Sequence, residues 1–320
     1  MTLSTKKTEQ KKTVFEGISF PQIEDLDLNI TAVGMAPWSY SKMSMLKKCP
    51  FQFYLKYLLK AKNVVSPKIF VRDVGKAAHR IIEFIIMGKS VEKAFKLTKE
   101  EYTKDLTPEE WAEGVETLEM SMLSFKERLD KFNENYNVKR VFQEIQVAVT
   151  KDWEPTGFWS DDCFFRGVID LCLLIEPEGH TAGALLDAMF IDHKTGAPAS
   201  MGIRNFTPQL DSYKVLFHFG IEKLLGATSG VHFIRDGEIK IGDYSTQDNI
   251  ETTLKGSLEF TLESVIEITR ERGFFKHVAG GHCKYCEYSD ACKGKKLVDM
   301  EKDSKKWFEI KVEKVSPSSA

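Results

Sequence analysis

Phe190-Ile-Asp-His-Lys-Thr-Gly196 closes an apolar run made of Leu185, Leu186, Ala188, Met189, Phe190 and Ile191. A short continuous apolar segment of this kind reads as a buried strand. In a strand, residues i and i+2 point to the same face. Asp192 and Lys194 are therefore expected to project together from the polar end of that strand, with His193 turned the other way. About twenty residues earlier, Arg166-Gly-Val-Ile-Asp170 ends a second apolar run in another carboxylate. Two strands that bring two carboxylates and one lysine together are suited to metal-dependent hydrolysis. An aspartate beside a lysine is also ordinary surface chemistry, so the surroundings carry the argument.

The 320 residues suffice for one large domain or two small ones. A hydrophobic share of 42% and an aromatic share of 11% fit a globular chain. No run of about 18 apolar residues occurs, and Met1 to Lys12 lacks the apolar region of a secretory signal. The expected location is the cytoplasm, with no membrane span. A formal net charge of −2 argues against a globally basic nucleic-acid binder, although a local basic groove is enough to hold phosphates.

Residues 1–35 have little periodicity and read as a flexible arm. Pro37-Trp-Ser-Tyr-Ser41 supplies a helix start, with Ser39 or Ser41 as cap, and Pro50 should break that helix just after Cys49. A second helix, about 68–87, places Val74, Ala78, Ile81, Ile82 and Ile85 at helical spacing. It carries His79, and Gly75 marks a close helix contact. Two further helices are expected over 90–135. Strands follow at 141–149, 164–175 and 185–192. A helix over 208–225 presents Gln209, Tyr213 and Lys214 on or near one side. A strand pair over 231–241 turns at Asp236-Gly237, and a long amphipathic helix covers 248–272. The tail from 298 to 320 is charged and reads as mobile.

Six cysteines in a chain of this type are free, metal-bound or catalytic rather than disulfide-bonded. Cys163 and Cys172 read as small core residues. Cys283-Lys-Tyr-Cys286 followed by Cys292 supplies three thiolates in a glycine-led loop, and Cys49, beside Pro50, is the remaining cysteine outside the strands. By spacing, four cysteines suit zinc or an iron–sulfur cluster. His79 on an otherwise apolar helix and Glu144 on the strand before Asp170 add ligands for a hard cation such as Mg²⁺ or Mn²⁺. Gln209 and Tyr213, one helical turn apart, form either a polar helix face or a positioning pair.

Taken together these pieces resemble the RecB-like branch of the PD-(D/E)XK nuclease superfamily and its iron–sulfur subset. That subset includes the CRISPR-associated RecB-like exonucleases and the nuclease domains of AddB-type recombination proteins. The resemblance rests on Ser39-Tyr-Ser41 to Cys49-Pro-Phe-Gln-Phe-Tyr54, Gly75-Lys-Ala-Ala-His79 with Glu83, Gly167-Val-Ile-Asp170, Ile191-Asp-His-Lys194-Thr-Gly196, Gln209-Leu-Asp-Ser-Tyr213, and Cys283 to Cys292. It runs from about residue 38 to 293 with the motifs in the family's order. It implies an α/β fold, a restriction-endonuclease-like mixed sheet flanked by helices, with an iron–sulfur clasp joining the N- and C-terminal segments of a domain over 36–297. In that domain the helical part covers about 68–135, the catalytic sheet about 141–241 and the cysteine cluster 283–292.

Carried over residue by residue, the resemblance makes His79, Asp170 and Asp192 metal ligands, with His193 contributing its backbone carbonyl where the family often has an aromatic. Lys194 becomes the catalytic lysine, Gln209 and Tyr213 the helix motif. A [4Fe-4S] cluster falls on Cys49, Cys283, Cys286 and Cys292. The implied activity is a Mg²⁺- or Mn²⁺-dependent DNA exonuclease that prefers single strands or DNA ends, in recombination, repair or phage and mobile-element DNA processing. No G-x-x-x-x-G-K-[ST] phosphate loop occurs, so a helicase or recombination partner would be a separate polypeptide. Two other classes stay open on the sequence: a non-catalytic DNA-binding or assembly protein keeping the fold and cluster, and a zinc-stapled structural protein.

Overall fold

The computed structural model of the protein describes residues 12–15, 18–21, 37–58, 69–179, 183–270, 278–288 and 313–314. They fall into two compact units. One draws on the described parts of Met1–Met35, Ser41–Pro67 and Glu263–Ala320, the other on Ala36–Tyr40 and Lys68–Leu262.

In the first unit, β1 (Lys12–Phe15) pairs antiparallel with β2 (Ile18–Pro21) and with Glu313–Lys314. The helix expected after Ser39 is interrupted at Cys49. There α1 (Tyr40–Lys48) stops and α2 (Pro50–Phe53) restarts, continuing as a wider turn over Tyr54–Leu58. Pro50 takes the first helical position, where no backbone N–H has to find an intrahelical partner. Met43, Leu46, Phe51, Phe53 and Tyr54 are buried, which accounts for the broad apolar side legible in the sequence.

The second unit opens with α3 (Ile69–Ile86). The stretch 90–135 then forms three α-helices rather than two: α4 (Val91–Glu101), α5 (Pro108–Gly114) and α6 (Glu119–Asn135). The extra break lies at Thr107-Pro-Glu-Glu110. The Thr107 side chain accepts from Glu110 N, while Glu110 accepts from Thr107 N. This reciprocal capping box starts a new helix and contributes about 1 kcal/mol. Val74, Ala78, Ile81, Ile85, Trp111 and Phe125 from these helices share one core with Leu171, Leu173 and Ile191 of the sheet.

The sheet has six strands: β3 (Val138–Val149), β4 (Phe165–Ile175), β5 (Leu186–Lys194), β6 (Leu224–Phe233), β7 (Glu238–Ile241) and β8 (Ser245–Thr246). β3, β4 and β5 form an antiparallel meander, β6 runs parallel to β5, and β7 and β8 pair antiparallel with β6. The parallel step needs a crossover, supplied by α7 (Thr207–Gly220) between β5 and β6. The helix expected to reach Leu225 therefore ends at Gly220, and the strand expected from Val231 begins at Leu224. Leu224-Leu-Gly-Ala-Thr is buried on both faces of a central parallel strand, so it lacks the alternation by which a half-exposed strand is recognised.

α7 lies close against the sheet. A side-chain carbon on Gly167 would sit 2.9 Å from Leu216 Cδ1, and one on Gly220 2.5 Å from Val147 Cγ1. Gly75 likewise marks a close approach, but its neighbour is Thr195 Oγ1 at 3.1 Å and not a helix. The chain continues through α8 (Gln247–Asn249) and a wide turn over Ile250–Leu254 into α9 (Lys255–Arg270). The sheet and its flanking helices make the expected mixed α/β architecture. Among the described residues no helix is long and apolar enough to cross a membrane.

Candidate active site

β5 separates two environments. On the side of α7, Asp192 and Lys194 project together, with Lys194 Nζ 2.7 Å from Asp192 Oδ2 in an ion pair. Asp192 is 1% exposed. Its Oδ1 accepts from Gln209 Nε2 at 3.2 Å and from the Tyr213 hydroxyl at 3.3 Å. Gln209 also donates to Tyr213 Oη at 2.6 Å and accepts from Lys194 at 3.3 Å. Gln209 and Tyr213 are four residues apart on α7, so one helix face presents both. Lys214 belongs elsewhere, buried against Ser245 Oγ at 3.0 Å. Burial, with the charges of Asp192 and Asp170, raises the Tyr213 hydroxyl well above its ordinary range. Tyr213 therefore stays protonated and can act as a donor.

On the other side of β5, the His193 ring meets His232 of β6, Nδ1 to Nδ1 at 3.1 Å. The Phe125 ring stacks on His232 at 4.8 Å between centroids. Burial first, then neighbouring His232, His79 and Lys194, lowers His193 well below the usual imidazole range. Burial and Arg128 push His232 down to about 3. Both rings are thus neutral, one donating and one accepting.

His193 meets Asp170 and His79 through its backbone. Its N–H donates to Asp170 Oδ2 at 2.8 Å, and its carbonyl faces His79 Nε2 at 3.1 Å. His79 Nδ1 meets Glu144 Oε1 at 3.0 Å. Ligand atoms of His79, Glu144 and Asp170 all lie within 4.8 Å of one another. Glu144 has φ +46°, a left-handed conformation inside a strand, at the step the β3–β4 register skips between Gln143↔Leu171 and Ile145↔Ile169. Such a conformation is costly for a residue with a side chain and persists where its surroundings enforce it. Here it stands beside His79. Burial, then Asp192, pushes Asp170 up to about 7. Burial opposes the charged form of His79, but Glu144, Asp170 and the His193 carbonyl outweigh it and raise its pKa.

The donor set fits a hard divalent cation: two carboxylates, one imidazole and one carbonyl. Two ligands at right angles, each about 2.0–2.1 Å from an ion, are about 3 Å apart, which is the separation of His79 Nε2 and His193 O. A cavity of about 430 Å³ lined by Lys76, His79, Arg80, Tyr102 and Glu144 opens beside the group. Glu83, one helical turn after His79, pairs with Arg80 at 2.6 Å. Asp192 is coupled to this group through Asp170, while its own oxygens are turned to Lys194, Gln209 and Tyr213.

Two contributors carried little sequence signal. Glu144 is marked in the sequence only by its place on the strand before Asp170. Tyr40, in the segment whose neighbour Trp38 bonds to β4 through Phe164 O and Arg166 N, has its hydroxyl pKa raised by burial and then by Asp192. The motif Ser39-Tyr-Ser41 was the available cue.

Cys49, Cys283 and Cys286 lie in the first unit. Cys49 is buried at the break between α1 and α2. Cys283 lies within a short 3-10 turn over Gly281–Tyr285 and Cys286 just after it, with Cys286 N donating to Cys283 O at 3.3 Å. Burial pushes the Cys286 thiol up to about 11, and Cys49 and Cys283 add to the rise. An ion pair of Lys56 with Glu287 at 2.8 Å joins the same two segments. Cys292 lies outside the described residues. Cys163 and Cys172 are buried and unpaired.

No curated protein matches the chain at a significant level. A family model aligns with residues 37–293, from the segment before α1 through the whole six-stranded sheet to the cysteines. By that match the chain belongs to the PD-(D/E)XK nuclease superfamily.

Proposed function

We propose that the protein is a Mg²⁺- or Mn²⁺-dependent DNA exonuclease acting on single strands or DNA ends. The observation that carries the reading is the convergence, at the end of β5, of the Asp192–Lys194 pair with the His79–Glu144–Asp170 group. In this reading His79, Asp170, Asp192 and the His193 carbonyl would hold the ion, which would supply Lewis-acid polarisation of a phosphate and activation of a water.

The chain's own groups supply the rest. Glu144 accepts the Nδ1 proton of His79 and thereby presents Nε2 to a cation. Gln209 and Tyr213 fix one oxygen of Asp192, leaving the other beside Lys194. Lys194 is half-buried, and its ammonium donates to the phosphoryl oxygen on which negative charge grows. The roles of these residues, the exonucleolytic mode and a place in recombination, repair or mobile-element DNA processing are part of the proposal. So is a separate helicase or recombination protein as partner.

A [4Fe-4S] cluster on Cys49, Cys283, Cys286 and Cys292 belongs to the same reading. Its support is the Cys283-x2-Cys286 spacing and the Lys56–Glu287 ion pair, which joins the segment after Cys49 to the one that carries Cys283 and Cys286. The role assigned to the cluster is structural. Absorbance near about 400 nm after anaerobic purification separates it from colourless zinc.

Digestion of end-labelled single- and double-stranded DNA with Mn²⁺ or Mg²⁺, wild type against Asp192→Asn, tests the activity. Cleavage by the wild type alone is expected, with label released from one end. A folded, DNA-binding wild type that leaves both substrates intact overturns the nuclease reading in favour of a binding protein.

A further inference from the structure

We propose that Trp159, backed by Phe158 and Arg166, is a stacking platform for an unpaired nucleobase of the strand that reaches the Asp170–Asp192 site. The proposal rests on the nuclease reading and adds a substrate-binding position to it. Trp159 is 75% exposed, at the tip of the loop between β3 and β4. The Arg166 guanidinium lies 4.4 Å from the Trp159 ring centroid and 4.6 Å from that of Phe158. Its Nη1 donates to Phe158 O at 2.6 Å. Phe158 and Trp159 stand edge to face at 5.1 Å. The large indole surface is therefore not a stray side chain. It is held upright by a cation and a second ring while most of its area faces water.

The loop that carries it is braced from within. Ser160 N donates to Gly157 O at 3.0 Å, Cys163 N to Ser160 O at 3.1 Å, and the Thr156 hydroxyl to Asp162 Oδ1 at 2.5 Å. A preordered aromatic surface loses little conformational freedom when a ligand stacks on it. Among the described residues Arg166 has no carboxylate partner, so its charge is free to meet a backbone phosphate.

The platform is connected to the site by one strand. Along β4, Phe165 and Ile169 are buried while Arg166, Val168 and Asp170 are the more open positions. Arg166 thus lies on the same open row as Asp170, about 13 Å away at a strand rise of about 3.3 Å per residue. Stacking suits an unpaired base because every base has a π-face, whereas bases in a duplex are already stacked. The position therefore favours single-stranded ends without reading their sequence.

The test is binding of a fluorescently labelled thymidine oligonucleotide to the full chain in Ca²⁺ and in EDTA, compared with the matching duplex. Trp159→Ala is expected to weaken single-strand binding roughly five- to a hundredfold, the range that corresponds to stacking of one base. Trp159→Phe should restore much of it, and duplex binding should change less. An abasic nucleotide moved along the oligonucleotide should weaken wild-type binding at one position and have no effect there in Trp159→Ala. Equal binding by wild type and Trp159→Ala, with Mn²⁺-dependent cleavage by the wild type intact, overturns the platform alone. A wild type that neither binds the oligonucleotide nor cleaves it overturns the platform and the nuclease reading together.

Discussion

Asp192 and His193 are adjacent on β5 and almost equally buried, yet their side chains occupy opposite chemical settings. Asp192 faces an amide, a phenol and an ammonium, all donors. His193 faces a second imidazole and a phenyl ring, and burial first, then His232, lowers its pKa. Burial is nearly the same on the two sides, so the difference between them lies in the partners each side chain meets. The pleat of a single strand keeps a polar, titratable face one residue away from a dry core face. The backbone between them serves both, because the His193 N–H and carbonyl meet Asp170 and His79. Substitutions on the first face should change chemistry with little loss of stability, and those on the second face the reverse.

The largest effect is expected at Asp192. Asp192→Asn keeps the shape and loses the charge, and should lower cleavage on the order of 10³-fold, the scale for removing a group that acts on transition-state charge. Its thermal midpoint should stay near that of the wild type. A variant that cleaves normally removes Asp192 from the active face. Next comes Glu144→Gln, which removes the acceptor that fixes the His79 proton. Mn²⁺ affinity measured by calorimetry should fall about 10- to 100-fold, and an unchanged affinity would show that Glu144 has no part in the cation site.

The pH dependence of the catalytic side follows from two raised pKa values. Asp170, pushed up to about 7, gives the ion-free protein a stability that is full below the unfolded value of about 3.9 and lost as pH rises through about 7. His79, also raised, gives a contribution present below about 6.5 and lost as pH rises through its folded value. Melting in EDTA should therefore fall as pH rises from 5.5 to 8.5. Over the same range the increment gained from Mn²⁺ should grow, because a cation replaces both protons. An increment that is flat with pH places the ion elsewhere.

On the core face, His232→Leu leaves His193 Nδ1 without its partner and should cost about 1–3 kcal/mol in denaturant unfolding. Cleavage per folded molecule should remain within severalfold of wild type. A collapse of activity at full stability would erase the distinction between the two faces. The smallest effect belongs to a site remote from both. Thr107→Ala removes the α5 cap and should cost about 1 kcal/mol, with no change in Mn²⁺ affinity.

Much of this was legible in residue order. The i, i+2 rule paired Asp192 with Lys194 and turned His193 away, and the i, i+4 rule brought Gln209 and Tyr213 to one helix face. Both are local consequences of a single element's period. Pro50 ended α1 because it suits a helix start and disrupts a helix interior. Thr107-Pro-Glu-Glu110 carried a capping signal as well, and the apolar periodicity on either side of it concealed the break between helices.

What the chain order left open depended on contacts between elements. Leu224–Phe233 is a strand because β5 lies beside it and helices cover it, and no alternation within its own residues records that. Glu144 reaches His79 through a left-handed backbone turn in β3, and His232 reaches His193 across a parallel pairing. These pairs are separated by 65 and 39 residues. Sequence alone determined which side chains leave a strand or helix together, because that follows from backbone period and local sterics. Only the tertiary structure decided which carboxylate meets which histidine, because strand register and crossover set those distances and no local rule encodes them.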